Sequence, residues 1–534
     1  MSHAVVRRDA LVARLLVVLA SFAFRLPELV HAGEVNSDSA IVGLQAMHVM
    51  KGETSAFLWG SGYQSAADAY WAAPFFALFG KTPFSLVFSA LTLHVLGTLA
   101  MLSMGERHAR LARLSRPSYA GALVSLPLVL TTAAIHTYAL YPPRQLSITA
   151  ALVALWLVDR ASTSRFRLGH LFGGAALSGL ACAADPYALV FVPLVGLSVA
   201  LSSLEGPMGR AHVRLLASSR DRRDVAVRLG AALFGAATGA VPVWLMWRSQ
   251  GARLGVTNLD ASRVAHNTKL LLETCGPWAF GMTSYYARVS MDYAPWDMHP
   301  AYALFAKAGG CLFLAFFPAA LLLALTKRRL RFASRRAGVV GALALPLTLY
   351  GFLTSVMVMD HFSMRYLASI PLLAPFALVP LLVSLGPKRL AWLLVAPLAA
   401  AGISGWVSFG PDVRGPLVAP RPDGPTDEAR LHEALSREGV TYAMADYWTA
   451  YRVTFVTQEG LVVVPTHEKQ DRYRPYRDAF ERASRVAYLV DPKRSSEAPE
   501  AVGEALAKGE LCGKGRVRRA DVGRFVVFVV DRAL

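Results

Sequence analysis

Charge is scarce in this chain. Asp, Glu, Lys and Arg make up 17% of its 534 residues, against about 25% in a soluble globular domain, and 54% of the residues are hydrophobic. Water is therefore not the solvent for much of its length. Acids are the scarcer sign, 36 Asp and Glu against 55 Lys and Arg. In a soluble protein that excess would point to nucleic acid. Here most basic residues outside the C-terminal tail stand in short loops between apolar runs, where they meet lipid headgroups and set topology, so no nucleic-acid partner is expected. The four cysteines, Cys182, Cys275, Cys311 and Cys512, are scattered and form no CxxC pair; a disulfide between Cys275 and Cys512 is left open, because spacing does not decide it. A P-loop, an HExxH and a GxSxG are all absent, which argues against an ATP-driven pump, a zincin and a serine hydrolase. Heptads, solenoid repeats and low-complexity tracts are absent too.

What the chain has instead is long apolar runs, near 10–30, 71–104, 118–135, 145–158, 168–184, 187–203, 229–247, 301–326, 337–358, 366–386 and 390–409. A membrane span needs roughly 20 residues, and the 71–104 run has room for a short extra helix ahead of its span. The first run follows Arg7 and Arg8 and lacks a clean small-x-small cleavage site, so it reads as a retained first span or signal anchor. With a cytoplasmic N-terminus, the inner segments 1–9, 105–117, 159–167, 204–228, 327–336 and 387–389 hold 23 Arg and Lys, against 8 in the longer outer segments before the tail. The positive-inside rule thus predicts about eleven spans, with the C-terminus outside.

Beyond residue 409 the composition turns soluble. A Pro/Gly/Asp linker is expected at 410–425, and a small α/β domain at 426–534. In that domain short apolar strands (TYAMA, LVVVP, RVAYLV, RFVVFVV) alternate with polar helical stretches at 427–437, 470–484 and 498–508. The fold class expected is a mainly α polytopic bundle carrying a small C-terminal α/β domain. The tail is expected to fold on its own.

Chemistry concentrates in the outer segments. Loop 31–70 carries Glu34, Asp38, Glu53 and Asp68 among Trp59, Tyr63 and Tyr70. Aromatics suit the interface on their own, whereas acids are not favoured by headgroup surfaces. The stretch GEVNSDSAIVGLQAMHVMKGE, followed by WGSGYQSAADAYWAAPFFALFG, sets an acid just after the first span, then an amphipathic helix ending near Lys-Gly, then an aromatic-Gly segment leading to Pro. That order resembles the GT-C membrane glycosyltransferases, in the branch of the protein O-mannosyltransferases and lipid A aminoarabinose transferases. HFSMRYLASIPLLAPFAL resembles the Arg-Tyr motif that opens a late span in many members, and DYWTAYRVTFVTQEGLVVVP resembles the soluble C-terminal domain of some bacterial members. The resemblance implies that Asp38 lies at a catalytic centre and that the donor is a polyprenyl-phosphate sugar. Many members carry two adjacent acids where this chain has Asp38-Ser39, and HTYALYPPRQ lacks a carboxylate that several of them have. No cofactor is firmly implied; a divalent metal is compatible with the family, with Asp38, His299 and His361 as the candidate ligands.

The chemistry itself sets the same requirements. Sugar transfer from a lipid phosphate needs a base for the acceptor proton and cations for the departing phosphate. A lipid-linked donor holds its phosphate at headgroup depth, so these groups must sit at the outer ends of spans. Asp38 is placed for the base, with Glu34 within reach of it. Arg365, followed by Tyr366, and Arg144 are placed for the phosphate, which a guanidinium matches with two parallel hydrogen bonds. Asp68 and Tyr63 are candidates for substrate contact. Each has a plainer alternative: Asp38 as a helix N-cap, Arg365 as a headgroup anchor or a partner of Asp360, Asp185 as a turn residue before Pro186. The reading is an inverting glycosyltransferase of a bacterial inner membrane, passing sugar to a lipid, polysaccharide or protein acceptor on the periplasmic side. The alternatives are a secondary transporter or lipid flippase, against which the spans are nearly free of charge at their centres and no internal repeat is apparent, and a catalytically inactive scaffold.

Overall fold

The computed structural model describes residues 3–30, 35–162, 164–205, 219–250, 259–287, 293–327, 329–409, 426–492 and 497–532. The expected linker and Glu34 lie outside the described residues.

Each apolar run of the sequence coincides with helix. Six helices are by themselves long and apolar enough to cross a membrane: Pro83–Leu111, Arg222–Met246, Pro300–Thr326, Phe332–Thr354, His361–Leu385 and Pro387–Ser408. Pro117–Val129 and Ala133–Leu140 make a seventh if the pair, bent by 85°, is one span. The short helix anticipated ahead of the second span is Ala67–Phe79. His361–Leu385 is the central element, 89% buried over its apolar window, whereas Arg222–Met246 is 17% buried and peripheral. Leu233, Leu304 and Trp392 expose 70%, 71% and 80% of their surface, which suits a lipid-facing wall.

Packing in such a bundle relies on small residues, because lipid tails are as apolar as Leu. Where Arg167–Ala184 meets Ser219–Gln250, a Cβ on Gly239 would lie 2.2 Å from the Ala176 carbonyl oxygen, so the two backbones touch only because that position is Gly. The bend after Val129 leaves helix-end carbonyls without intrahelical donors. Arg25, fully buried, supplies them: its guanidinium donates to the carbonyls of Leu128 and Val129 and to Thr131 Oγ1 at 3.1–3.2 Å. A charge inside the first apolar run thereby pins that helix to the bend.

Strands β1 (Tyr285–Ala287) and β2 (Tyr293–Pro295) form a small antiparallel ladder. The tail holds β3 (Tyr442–Ala445), β4 (Val462–Pro465), β5 (Arg485–Val490), β6 (Gly515–Val522) and β7 (Phe525–Arg532) in the order β4-β3-β5-β7-β6. The first three run parallel, while β7 is antiparallel to both β5 and β6. Side chains alternate across the sheet with period two. Ala443, Ala445, Val463, Leu489, Val527 and Val529 join Leu431 and Leu435 of Asp427–Arg437 in one core. Met444, Val464, Tyr488, Val526, Phe528 and Val530 join Phe480, Val502 and Leu506 in another. The second core does not stop at the tail: it continues into Ile41, Leu44, Met47, Phe76 and Leu86 of the membrane part.

Two features differ from the sequence reading. An additional helix, Tyr447–Val456, lies between the first two strands of the tail. The edge strand β6, GRVRRADV, was not anticipated, because its charged residues hide the apolar alternation; charge on an edge strand also blocks pairing with other chains. All four cysteines are free, so Cys275 and Cys512 do not pair.

Candidate active site at the seam between bundle and tail

The helix Ser37–Met50 positions the first acid. Its N-cap is Asn36, whose side-chain oxygen accepts the Ser39 N–H at 2.9 Å. Asp38 is therefore not the cap, and its side chain is committed elsewhere. Tyr447 Oη donates to Asp38 Oδ1 at 2.6 Å, across 409 residues of sequence. Among the described residues no second donor reaches this carboxylate, which leaves Oδ2 open to a proton. Burial and then the Asp38 carboxylate push the Tyr447 phenol well above its ordinary pKa, so it stays a donor. Arg472 completes the tail's contribution, donating through Nη2 to Tyr447 Oη at 3.2 Å and through Nη1 to the Gly60 carbonyl at 2.9 Å.

Neighbouring contacts bring the second set of residues to this place. Ser37 Oγ donates to the Trp448 carbonyl at 2.8 Å, and Ser39 Oγ donates to the Pro142 carbonyl at 2.6 Å. The latter bond ties the residue beside Asp38 to the segment leading into Arg144. Arg144 sits at φ 111°, a left-handed conformation that costs a non-Gly residue roughly 1–3 kcal/mol. Asp68 secures it, accepting the backbone N–H groups of Arg144 and Leu146 at 3.0 and 3.1 Å. Asp68 thus caps the helix Gln145–Ala161 from a distance, a task that positions Arg144. The Arg144 side chain donates through Nε to Asp185 Oδ2 at 3.0 Å, and Gln64 Nε2 donates to the same oxygen. Asp185 is also the turn residue expected, accepting the Tyr187 N–H at 2.7 Å. Tyr63, next to Gln64, lies in the electrostatic fields of Arg144, Asp185 and Arg472.

Arg365 and Tyr366 occupy the short 3-10 turn His361–Leu367 that opens the central span. Two guanidinium groups share one ring: Arg144 lies 5.8 Å and Arg365 5.1 Å from the Tyr366 centroid. Asp360 is not the partner of Arg365, whose Nη2 instead donates to Tyr366 Oη at 3.4 Å. Two polar atoms here, Arg365 Nε and Tyr138 Oη, are buried without a partner among the described residues, and so is Arg472 Nε. Buried polar groups are nearly always satisfied; unpaired donors beside three arginines suit an anionic ligand.

The histidines serve elsewhere. His299 Nδ1 accepts the Ala301 N–H at 3.3 Å and caps Pro300–Thr326. The His361 ring packs edge-on against Tyr285 at 5.9 Å. Among the described residues no three His, Cys, Asp or Glu side chains converge enough to hold a metal ion, so the grouping of Asp38 with His299 and His361 is not formed. Tyr447, Arg472, Gln64 and Tyr138 were not singled out from sequence. Tyr447 alone had a signal, lying in the DYWTAYR stretch of the tail.

No sequence-family model and no curated protein matches the chain. Solved structures do. ArnT from Cupriavidus metallidurans bound to undecaprenyl phosphate superposes with a TM-score of 0.51 at 12% identity, over 96% of this chain and 98% of that one. The chain has a GT-C-like fold. Two more distant similarities are the arabinofuranosyltransferase AftD from mycobacteria (TM-score 0.49, 14% identity, 100% of this chain and 42% of that one) and the apo Archaeoglobus fulgidus oligosaccharyltransferase (TM-score 0.43, 12% identity, 85% and 64%). Within the GT-C-like fold the Asp38–Tyr447 contact, Arg144 and Arg365 all lie at one end of the bundle, under the tail.

Proposed function

We propose that the chain is an inverting glycosyltransferase that moves a sugar from a polyprenyl phosphate to a cell-envelope acceptor. Asp38 Oδ2 takes the proton of the acceptor hydroxyl as its oxygen attacks the anomeric carbon. The bond from that carbon to the phosphate oxygen breaks, and the phosphate leaves with its charge held by Arg144 and Arg365. A single displacement from the face opposite the leaving group inverts the anomeric centre. Tyr447 and Arg472 hold the base from the tail side, and Asp68 and Asp185 fix Arg144. Tyr63 and Glu34 are assigned to substrate contact on their place in the first outer loop of the sequence.

The observation that carries this reading is the placement at one end of the bundle of one carboxylate, hydrogen-bonded through Oδ1 at 2.6 Å, Arg144, fixed through Nε by Asp185, and Arg365, whose buried Nε lacks a partner among the described residues. The fold shared with an undecaprenyl-phosphate-bound protein supports a polyprenyl phosphate as donor carrier. The asymmetry of basic residues supports about eleven spans in a bacterial inner membrane with the tail in the periplasm. The reading of residues 426–534 as a periplasmic domain belongs to the same proposal. The test is mass spectrometry of envelope glycolipids, polysaccharides and glycoproteins in a strain lacking the protein, complemented with wild type or with Asp38→Asn. One glycan class should lose a sugar in the deletion and regain it only with wild type. Restoration by Asp38→Asn at equal protein level, or an unchanged envelope in the deletion, would remove the proposal.

A further inference from the structure

The helix Gln145–Ala161 begins at the candidate active site and ends somewhere quite different. Arg144 stands at its first turn and Arg160 at its last, sixteen residues on, or about 24 Å at 1.5 Å per residue. That distance approaches the roughly 30 Å of a bilayer's hydrocarbon core. At this far end a cavity of about 330 Å³ opens between the ends of Pro83–Leu111 and Gln145–Ala161 and the middle of His3–Phe24, lined by Arg14, Glu106, Arg107, Arg110, Trp156 and Arg160.

Four arginines thus face one lining carboxylate, and that carboxylate is already shared. Glu106, whose side chain is 3% exposed, accepts Arg14 Nη2 at 2.9 Å, Ser118 Oγ at 2.7 Å and a bond from Arg110. Arg107 is held from behind by Asp159, which also pairs with Arg336 and His108 at 3.2 Å each. Arg336 is in turn anchored to Glu205 at 2.9 Å. Arg160 lies over the Trp156 ring at 5.3 Å. A belt of headgroup anchors consists of separate, solvated side chains. Here carboxylates, a serine and an indole orient the guanidinium groups around one half-enclosed volume.

We propose that this cavity is a binding site for a phosphate monoester or diester, separate from the candidate active site. The guanidinium fork matches two phosphate oxygens at once, several cations in one half-enclosed cavity favour an anion, and 330 Å³ exceeds what a bare ion needs. Membrane-surface depth allows two sources for that chemistry, a lipid headgroup or a soluble phosphate.

The experiment uses the full chain purified in phosphate-free detergent buffer. Equilibrium dialysis measures radiolabelled inorganic phosphate, and native mass spectrometry measures short-chain phosphatidic acid, with the matching diacylglycerol as the phosphate-free control. R14Q/R160Q removes two of the four cations and leaves the Arg107–Asp159–Arg336 network intact; R160Q alone is the milder variant. R365K reports phosphate bound at the other end. Wild type and R365K should retain a phosphate-dependent site that R14Q/R160Q weakens about tenfold or more, the loss of a charge-assisted hydrogen bond, with R160Q in between. Retention of inorganic phosphate marks a soluble source, and retention of phosphatidic acid alone marks a lipid one; both support the proposal. Binding of neither probe, equal binding of diacylglycerol, or binding lost in R365K and kept in R14Q/R160Q would overturn it.

Discussion

The contact between Glu459 and His48 should decide how firmly the tail sits on the bundle. Glu459 receives three short hydrogen bonds, from His48 Nε2 at 2.6 Å, Lys51 Nζ at 2.7 Å and Tyr476 Oη at 2.7 Å. The first two cross from the helix Ser37–Met50 and its C-cap to the tail. Although burial opposes ionisation, these bonds hold the Glu459 carboxyl down to about 2. Glu459→Gln keeps the shape and one acceptor but removes the charge. Hydrogen bonds to charged groups contribute about 1.5–3 kcal/mol and neutral ones about 1, so the two cross-domain bonds should together lose about 2–3 kcal/mol. The assay is amide hydrogen exchange in the helices Ser37–Met50 and Tyr447–Val456, which report opening of this seam. That loss corresponds to exchange faster by about 30- to 150-fold, with other helices unchanged.

The pH dependence has a defined sign. Burial lowers the His48 pKa, but hydrogen bonds to Glu459 and to Glu53 (Nδ1 at 2.8 Å) outweigh it and raise the pKa above 6.5. A raised histidine pKa contributes stability that is full below the unfolded value, about 6.5, and is lost as pH rises through the folded value. Glu459, with its pKa lowered, contributes stability that is full above its unfolded value, about 4.5, and is lost as pH falls toward 2. The seam should be tightest between about pH 4.5 and 6.5, and the rise in exchange at higher pH, corrected for intrinsic rates, should shrink in Glu459→Gln, where only Glu53 still supports the His48 charge. Exchange within twofold of wild type in Glu459→Gln at pH 6 would refute this account of the seam.

Three further outcomes follow from the same geometry. A Cβ on Gly43 would lie 2.5 Å from Phe455 Cε2, so Gly43→Leu should displace the tail, exposing the Tyr447–Val456 helix to exchange and abolishing transfer while the bundle stays folded. Asp68→Ala strips two N–H groups at the start of Gln145–Ala161 of their acceptor, at about 1–3 kcal/mol each, and should lower both thermal stability and affinity for undecaprenyl phosphate; Asp68→Asn, which keeps one acceptor, should fall between. Arg365→Lys keeps the charge but not the planar fork, and should weaken undecaprenyl phosphate binding about tenfold; unchanged binding would reduce Arg365 to a span anchor.

Much of the bundle was legible because apolar length is a strong signal and acids in outer loops are hard to explain otherwise. Asp38, Arg144 and Arg365 stood out as charges at the ends of apolar runs, and the structure gathers them at one end. Other features needed three dimensions. Asn36 and Asp38 are both good cap residues two positions apart, and only the bond to Ser39 shows which one caps. Arg25 was absorbed into an apolar run because its partners are backbone carbonyls, which leave no mark in sequence. Tyr447 and Arg472 lie in a segment that read as a separate domain. Their role depends on an apolar core that runs continuously from Met444, Phe455 and Tyr476 into Ile41, Leu44 and Phe76, and the pattern of either part alone does not reveal it.

The most direct test of the account is sugar transfer by Asp38→Asn. Since Asn36 provides the cap, the substitution leaves the helix start intact, and Asn still offers an oxygen to Tyr447. Expression and thermal stability should therefore match wild type. Transfer of the envelope sugar, normalised to protein level, should fall about 10²- to 10⁴-fold, the usual contribution of a general base. Transfer within a few-fold of wild type would contradict the assignment of Asp38 as the base and with it the proposed mechanism.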